Sequence, residues 1–178
     1  MKYFDELKKT MDWLGTKPDT LFMGQAVAYA GTGMTNTLSG IDAEKLIELP
    51  VAEDFQLGLS IGHALNGSIP ISIFPRWNFL LLATNQLVNH LDKICQYSHG
   101  AFTPKVIIRT AIGSERPLHP QIQHVGDYTE AYNRMLQVVE IIKLEESDQI
   151  FDAYKHAYER SDQKSTILVE YGDYYNEK

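Results

Sequence analysis

The sequence has a single cysteine, Cys95, among 178 residues, so no disulfide can form within the chain. This scarcity fits a reducing compartment, and we expect a cytoplasmic protein. Long apolar runs are also missing, because even the run from Phe79 to Ala83 is far shorter than the roughly 20 residues that span a bilayer. The first residues, Met1 to Glu6, are amphipathic and acidic, unlike a signal peptide.

Positive charge is scarce as well, since 16 Lys and Arg stand against 23 Asp and Glu, for a formal net charge of −7. Neither the basic stripe of a nucleic-acid-binding protein nor a polybasic membrane-binding cluster is visible, so we expect neither partner. With 44% hydrophobic and 22% charged residues, the composition is that of a globular protein. We therefore expect one domain over residues 1–178, with an N-terminal helix within 1–18 and a tail over 171–178.

Short apolar strands alternate with helices along the chain. This alternation predicts a three-layer α/β/α fold with a mostly parallel sheet. Strands are expected near residue 21 and at 46–51, 69–74, 105–109, 138–143 and 166–170. Helices are expected at 1–15, from 53, at 79–97, at 129–136 and at 147–160, the last capped by Ser147. Ligands bind at the carboxyl ends of such strands, which directs attention to Glu53, to residues 74–79 and to the loop 110–124.

Residues 47–89 contain the most specific pattern in the sequence. They include Leu49-Pro50-Val51-Ala52-Glu53, a helix with Gly58 and Gly62, the turn Gly67-Ser68-Ile69-Pro70, then Trp77-Asn78-Phe79 and Asn85-Gln86-Leu87-Val88-Asn89. In order and spacing, these segments resemble the pyrimidine-binding domain of the transketolase-like thiamine-diphosphate enzymes. The beta subunit of the pyruvate and branched-chain 2-oxo acid dehydrogenases is the most similar. Weaker matches follow at residues 105–109, 123–124 and 167–170.

The resemblance implies that Glu53 hydrogen-bonds the ring nitrogen N1′ of the cofactor's aminopyrimidine and that Phe79 stacks on this ring. Val51 and Trp77 would complete the pocket, although Trp77 also suits a subunit interface. From the residues alone, Glu53 is equally a glutamate that complements a helix dipole, and Phe79 a core residue.

The loop before residue 127 carries the other candidate site residues. By resemblance, His124 handles protons or the substrate carboxylate near the reacting carbon, although an ordinary surface histidine is the alternative. His119 and Arg116 lie close by in sequence and could bind an anionic substrate. Two histidines also suggest a metal, but no third ligand is evident.

Several departures from the family pattern limit what this chain can do alone. Gln25 and Asn85 replace acids that the family usually has. Asp127 and Asp173 each follow a glycine, but neither starts the Gly-Asp-Gly…Asn pattern that holds Mg²⁺ and the diphosphate. A separate diphosphate-binding subunit is therefore expected to hold the Mg²⁺ and to form a heterotetramer of two such pairs with this chain. The family's carboxyl-terminal domain has no counterpart after residue 170.

These observations favour one subunit of an enzyme that decarboxylates a pyruvate-like 2-oxo acid and transfers the two-carbon unit to an acceptor. The alternatives within the family are a beta subunit of a 2-oxo acid dehydrogenase and half of a split transketolase, with a sulfopyruvate-type decarboxylase a more distant one. Outside enzymes, the alternative is an inactive assembly partner that has kept the fold, because function lies in the site rather than the fold.

Overall fold

The computed structural model describes residues 2–29, 32–115 and 119–177. At its centre, six strands form one sheet in the order β2-β1-β3-β4-β6-β5, and every neighbouring pair is parallel. The strands are β1 (Thr20–Gly24), β2 (Leu46–Glu48), β3 (Ile69–Phe74), β4 (Ile107–Ile112), β5 (Glu140–Lys143) and β6 (Thr166–Tyr171). The predicted α/β fold is confirmed, with a sheet that is wholly rather than mostly parallel.

Helices cover both faces of the sheet, because each face presents a row of apolar side chains that must be buried. The helices are α1 (Tyr3–Gly15), α2 (Gly33–Asn36), α3 (Glu53–Leu65), α4 (Trp77–Leu80), α5 (Ile94–Tyr97), α6 (Thr129–Met135), α7 (Ser147–Glu159) and α8 (Tyr174–Glu177). One apolar core joins α1 and α7 to the sheet, and a second joins α3, residues 77–94 and α6 to its other face. None of the helices in the described ranges is long and apolar enough to cross a membrane.

The helix α1 packs through a stripe of fully buried residues at helical spacing, Tyr3, Leu7, Met11 and Leu14. The neighbouring Phe4 lies off this stripe and is only partly buried. The Tyr3 hydroxyl donates a hydrogen bond to the Leu144 carbonyl oxygen at 2.7 Å, so its burial leaves no polar group unsatisfied.

The helix predicted over residues 79–97 is present as a series of helical turns of different types rather than as one regular α-helix. After α4 the chain forms a 3₁₀ turn at Leu81–Ala83 and a wide π-helical segment at Gln86–Leu91, then turns before α5. Asp92 lies at the turn before α5. Its buried carboxylate accepts backbone N–H bonds from Gln137, Val138 and Val139 at 2.8 to 3.1 Å. These bonds fix the end of the π-helical segment against the chain that enters β5.

Two terminal features of the later chain also differ from the prediction. The expected tail from residue 171 is in part the helix α8, and its Tyr174 ring lies 5.5 Å from that of Tyr3. At the start of α7 the cap is Glu146 rather than Ser147, because Glu146 and Gln149 form a reciprocal capping box.

Candidate functional site

The first candidate residue, Glu53, opens the helix α3 at the carboxyl edge of the sheet. The Gln56 amide anchors this first turn by donating to the Ser72 hydroxyl at 3.2 Å and to the Ile73 carbonyl oxygen at 2.9 Å. Glu53 is only 7% exposed, and no described residue hydrogen-bonds its carboxylate. A helix N-terminus favours a negative charge, and the Glu53 oxygens are not among the fully buried side-chain atoms that lack a partner, so they can be reached from the cleft. Such a group is available for a ligand.

Glu53, Val51 and Phe79 line one cleft, as the sequence predicts. The other lining residues are Gln25, Pro50, Ala52, Gln56, Phe74 and Pro75. The cleft is narrow and leaves no interior space for a water molecule. None of its described lining residues is basic. It therefore offers one carboxylate, one aromatic ring and apolar walls, but a flat polar ring would enter only if the cleft widened, and none of these groups would bind a diphosphate.

The structure also places His124 against Phe79, although His124 comes much later in the sequence and does not itself line the cleft. The centroids of the Phe79 and His124 rings lie 5.3 Å apart, with the ring planes tilted by 52°. The Nδ1 atom of His124 is buried and has no hydrogen-bond partner among the described residues.

Two residues beside Phe79 were missed by the sequence interpretation. The Arg76 Nη1 atom donates to the backbone carbonyl oxygens of Gly113 (2.8 Å), Ser114 (3.3 Å) and His124 (3.0 Å). Asn78 accepts a hydrogen bond from the Gly126 amide at 3.3 Å. Burial lowers the pKa of Arg76, but a guanidinium keeps its charge in proteins. The sequence signal that could have identified Arg76 and Asn78 was their position, because both follow β3 closely at the carboxyl edge of the sheet.

Three other predicted site residues lie outside the cleft or outside the described residues. Trp77 is fully buried and stacks on Tyr132 at 5.1 Å, so it is a core residue and its predicted place in the cofactor pocket needs correcting. His119 is exposed, accepts from the Gln121 amide at 2.9 Å and lies 3.6 Å from the Glu115 carboxylate. Arg116 lies outside the described residues.

The remaining features of this edge do not suggest a metal centre. Across the described ranges, no cluster of three His, Cys, Asp or Glu side chains could hold a metal ion. A more open cavity of about 330 Å³ lies beside α1, α2 and α8 and includes Asn36, Arg76 and Tyr175 in its lining. Pro75 lines both this cavity and the narrow cleft, so the two are neighbours.

Comparisons with known proteins show what the chain is similar to in sequence and in fold. No protein-family model matches the chain. The beta subunit of the pyruvate dehydrogenase E1 component from Chaetosphaeridium globosum is 32% identical over 120 residues, which are 65% of this chain and 36% of that subunit. The chain thus spans about a third of the length of the curated relatives it matches.

Among solved structures, a split-gene transketolase described as an inactive beta4 tetramer matches with a TM-score of 0.73 at 15% identity, over 97% of this chain and 52% of that one. A 2-oxoglutarate:ferredoxin oxidoreductase from Magnetococcus marinus matches with a TM-score of 0.63 at 12% identity, over 98% of this chain and 29% of that one. At such identities these structures show the fold alone. The predicted resemblance is thus confirmed: in sequence the chain is similar to the beta subunits of pyruvate dehydrogenase E1, and in fold to a split transketolase.

Proposed function

We propose that this chain, as a single pyrimidine-binding domain, is one subunit of a split thiamine-diphosphate enzyme. The enzyme decarboxylates a pyruvate-like 2-oxo acid and passes the two-carbon unit to an acceptor. It is active only when a separate diphosphate-binding subunit completes the site. The observation that carries this proposal is Glu53, a largely buried carboxylate that no described residue hydrogen-bonds, in a cleft that it shares with Phe79.

The cleft residues fit the aminopyrimidine half of the cofactor. Glu53 would bind the ring nitrogen N1′ and share a proton with it, and Phe79 would stack on the ring, with Val51 along one side. When bound, thiamine diphosphate supplies the thiazolium carbon that attacks the 2-oxo group. The chain itself holds the pyrimidine ring, orients it and excludes water through the apolar wall of Pro50 and Phe74.

His124 would serve the reacting end of the site. Its ring lies against Phe79, and its Nδ1 atom has no partner among the described residues. In this position it would move a proton to or from the substrate, or hold the substrate carboxylate when protonated. His119 and Arg116 remain proposed only as secondary contacts to an anionic substrate.

The missing half of the site requires a partner, and the outer face of α3 is suited to receive it. Val51, which lines the cleft, is 68% exposed, and Phe55 in the first turn of α3 is 53% exposed. Gly58 and Gly62 add open backbone, because a Cβ placed on Gly62 would meet nothing within 4 Å. An apolar surface continuous with an incomplete site fits a subunit that brings the diphosphate site and its Mg²⁺. We propose a heterotetramer of two such pairs, located in the cytoplasm.

Two alternatives have some support. The sequence relatives are named as beta subunits of pyruvate dehydrogenase E1, which favours a 2-oxo acid dehydrogenase subunit, and half of a split transketolase has the likeness of fold alone in its support. The structural neighbour that consists of beta chains alone is described as inactive. An inactive assembly partner would therefore look similar, but it would have no reason to keep a largely buried carboxylate that no described residue hydrogen-bonds.

The test is to isolate the tagged chain from its own cells and identify what co-purifies in equal amount. We expect a protein carrying Gly-Asp-Gly and a downstream Asn, and we expect the reconstituted pair to decarboxylate pyruvate or another 2-oxo acid with thiamine diphosphate and Mg²⁺. A chain that binds only itself, and never binds the cofactor, would refute the proposal. Pyruvate and sugar-phosphate donors assayed side by side would separate the decarboxylase from the transketolase.

A further inference from the structure

The segment that carries His124 has little packing of its own. After β4 the chain leaves the sheet at Gly113, and the described residues between there and α6 form one regular element, a 3₁₀ turn at Gln121–His124. Within this turn Ile122 is 92% exposed, so its side chain contributes almost nothing to a core. Segments with few buried apolar contacts open easily unless polar bonds hold them. The position of His124 must therefore depend on such bonds.

The bonds at His124 and Gly126 come from one short stretch after β3, whereas Asp173 holds the start of the loop by accepting from the Glu115 amide. Arg76 reaches both ends of the described loop, since the same Nη1 atom contacts the carbonyl oxygens of Gly113 and Ser114 at its start and of His124 at its end. Asn78, two residues after Arg76, accepts a hydrogen bond from the Gly126 backbone amide. Phe79 then contacts the His124 ring itself.

We propose that Arg76 is a positioning residue that holds His124 beside Phe79. A guanidinium suits this task because its rigid fork is always charged, and hydrogen bonds from a charged donor are stronger than neutral ones. Half-burial of the side chain shields these bonds from water, which strengthens them further. Arg76 is not itself a catalytic residue, because its described contacts are with backbone carbonyls of the loop.

The consequence for catalysis rests on the proposed function of His124, whereas the positioning itself does not. If His124 transfers a proton to the substrate, its ring must stay in one place relative to the cleft. A displacement of about 1 Å can lower a rate roughly a hundredfold. Releasing the His124 carbonyl from Arg76 should therefore lower kcat and leave the KM for thiamine diphosphate nearly unchanged, because Glu53 and Phe79 still hold the pyrimidine.

The first test uses the full chain without its partner. Arg76→Met removes all three bonds and keeps much of the aliphatic volume, and Arg76→Gln serves if the methionine variant does not fold. We expect the nuclear Overhauser contacts between the Phe79 and His124 rings to be lost, and the Gly126 amide to exchange with solvent about tenfold faster. Arg134→Met is the matched control, because Arg134 lies exposed on α6 and pairs only with Glu130 in the described structure. Unchanged ring contacts in both Arg76 variants would overturn the proposal.

The second test uses the reconstituted complex. We expect Arg76→Met to reduce kcat by roughly ten- to a hundredfold, with the double variant Arg76→Met, His124→Ala no worse than His124→Ala alone. Full activity of Arg76→Met where His124→Ala is inactive would refute positioning. If His124→Ala is itself fully active, the proposed role of His124 fails, and the ring contacts in the isolated chain alone decide the role of Arg76.

Discussion

Arg109 on β4 and Glu170 on β6 form a fully buried ion pair through two hydrogen bonds, from Nε to Oε1 at 2.6 Å and from Nη2 to Oε2 at 3.0 Å. Tyr154 and Tyr175 donate their hydroxyl groups to the same carboxylate, and Thr37 accepts from the guanidinium at 2.8 Å. Burial alone would lower the pKa of Arg109, but the attraction of Glu170 raises it above its ordinary value. The pair ties α7, α8 and the loop after α2 to the centre of the sheet.

Breaking this pair should strongly destabilise the chain. Glu170→Ala leaves the Arg109 charge buried without its partner, and we expect the free energy of unfolding to fall by about 3–5 kcal/mol. Replacing both residues by Met should cost less than the single substitution, because no charge then remains buried. Urea denaturation followed by circular dichroism measures both. Glu130→Ala breaks an exposed pair and should change stability by less than about 1 kcal/mol.

The Asp92 carboxylate should be nearly as important for stability. Asp92→Ala leaves the amides of Gln137, Val138 and Val139 without their acceptor, and we expect a loss of about 3 kcal/mol. Asp92→Asn keeps one acceptor oxygen and should lose less. The exposed Asp152 provides the control, because Asp152→Asn should stay within about 0.5 kcal/mol of the parent chain. Equal stability of the Asp92→Ala and Asp152→Asn variants would show that the hydrogen bonds accepted by Asp92 are dispensable.

Glu53→Gln should separate activity from stability. In the complex, we expect the variant to lose about 10²- to 10⁴-fold in kcat, because an amide cannot share a proton with the pyrimidine nitrogen. The unfolding midpoint of the isolated chain should not fall, since no described residue hydrogen-bonds the carboxylate. Asp54→Asn alters the exposed neighbouring acid in the same helical turn and should keep full activity. An active Glu53→Gln complex would disprove the proposed role of Glu53.

Acid should remove a small part of the stability through Asp162. Hydrogen bonding from Arg160 lowers the pKa of Asp162 to about 2, from an ordinary value of 3.8. A carboxyl with a lowered pKa stabilises the fold above the ordinary value, and this contribution disappears as the pH falls from 3.8 towards 2. Because the side chain is 45% exposed, we expect at most about 1 kcal/mol.

Unfolding of the parent chain and of Asp162→Asn, measured by urea denaturation between pH 2 and pH 5, tests this expectation. The stability difference between the two should be present at pH 5 and absent near pH 2. Added salt should reduce it at pH 5. A difference that stays constant with pH would show that the Arg160 bond does not contribute.

The sheet was predictable because its signals are local. β3 has the bounds predicted for it, since an apolar run lies between Gly67-Ser68 and Pro75. The departure from one regular helix over residues 79–97 has the opposite origin. An apolar repeat predicts a continuous helix, but the turn at Asp92 depends on amides more than forty residues later in the chain.

The candidate site, too, was predictable from the sequence only in part. Glu53, Val51 and Phe79 were predicted through a resemblance and share one cleft. Trp77 was placed with them because it is adjacent in sequence, but the short helix α4 directs residues 77 and 79 to different surroundings. Arg76 was missed because its partners are backbone carbonyls, which every residue has and no sequence pattern reveals.

The two edges of the sheet limit how this chain can associate with others. β2 has three residues and β5 has four, and both are only partly buried. Edges this short present few free backbone groups, so they are poor templates for strand addition or for fibre-like stacking. A stable partner protein would therefore bind to side chains of the helical layers and loops. Binding there depends on shape and chemistry, so it can be specific for one partner.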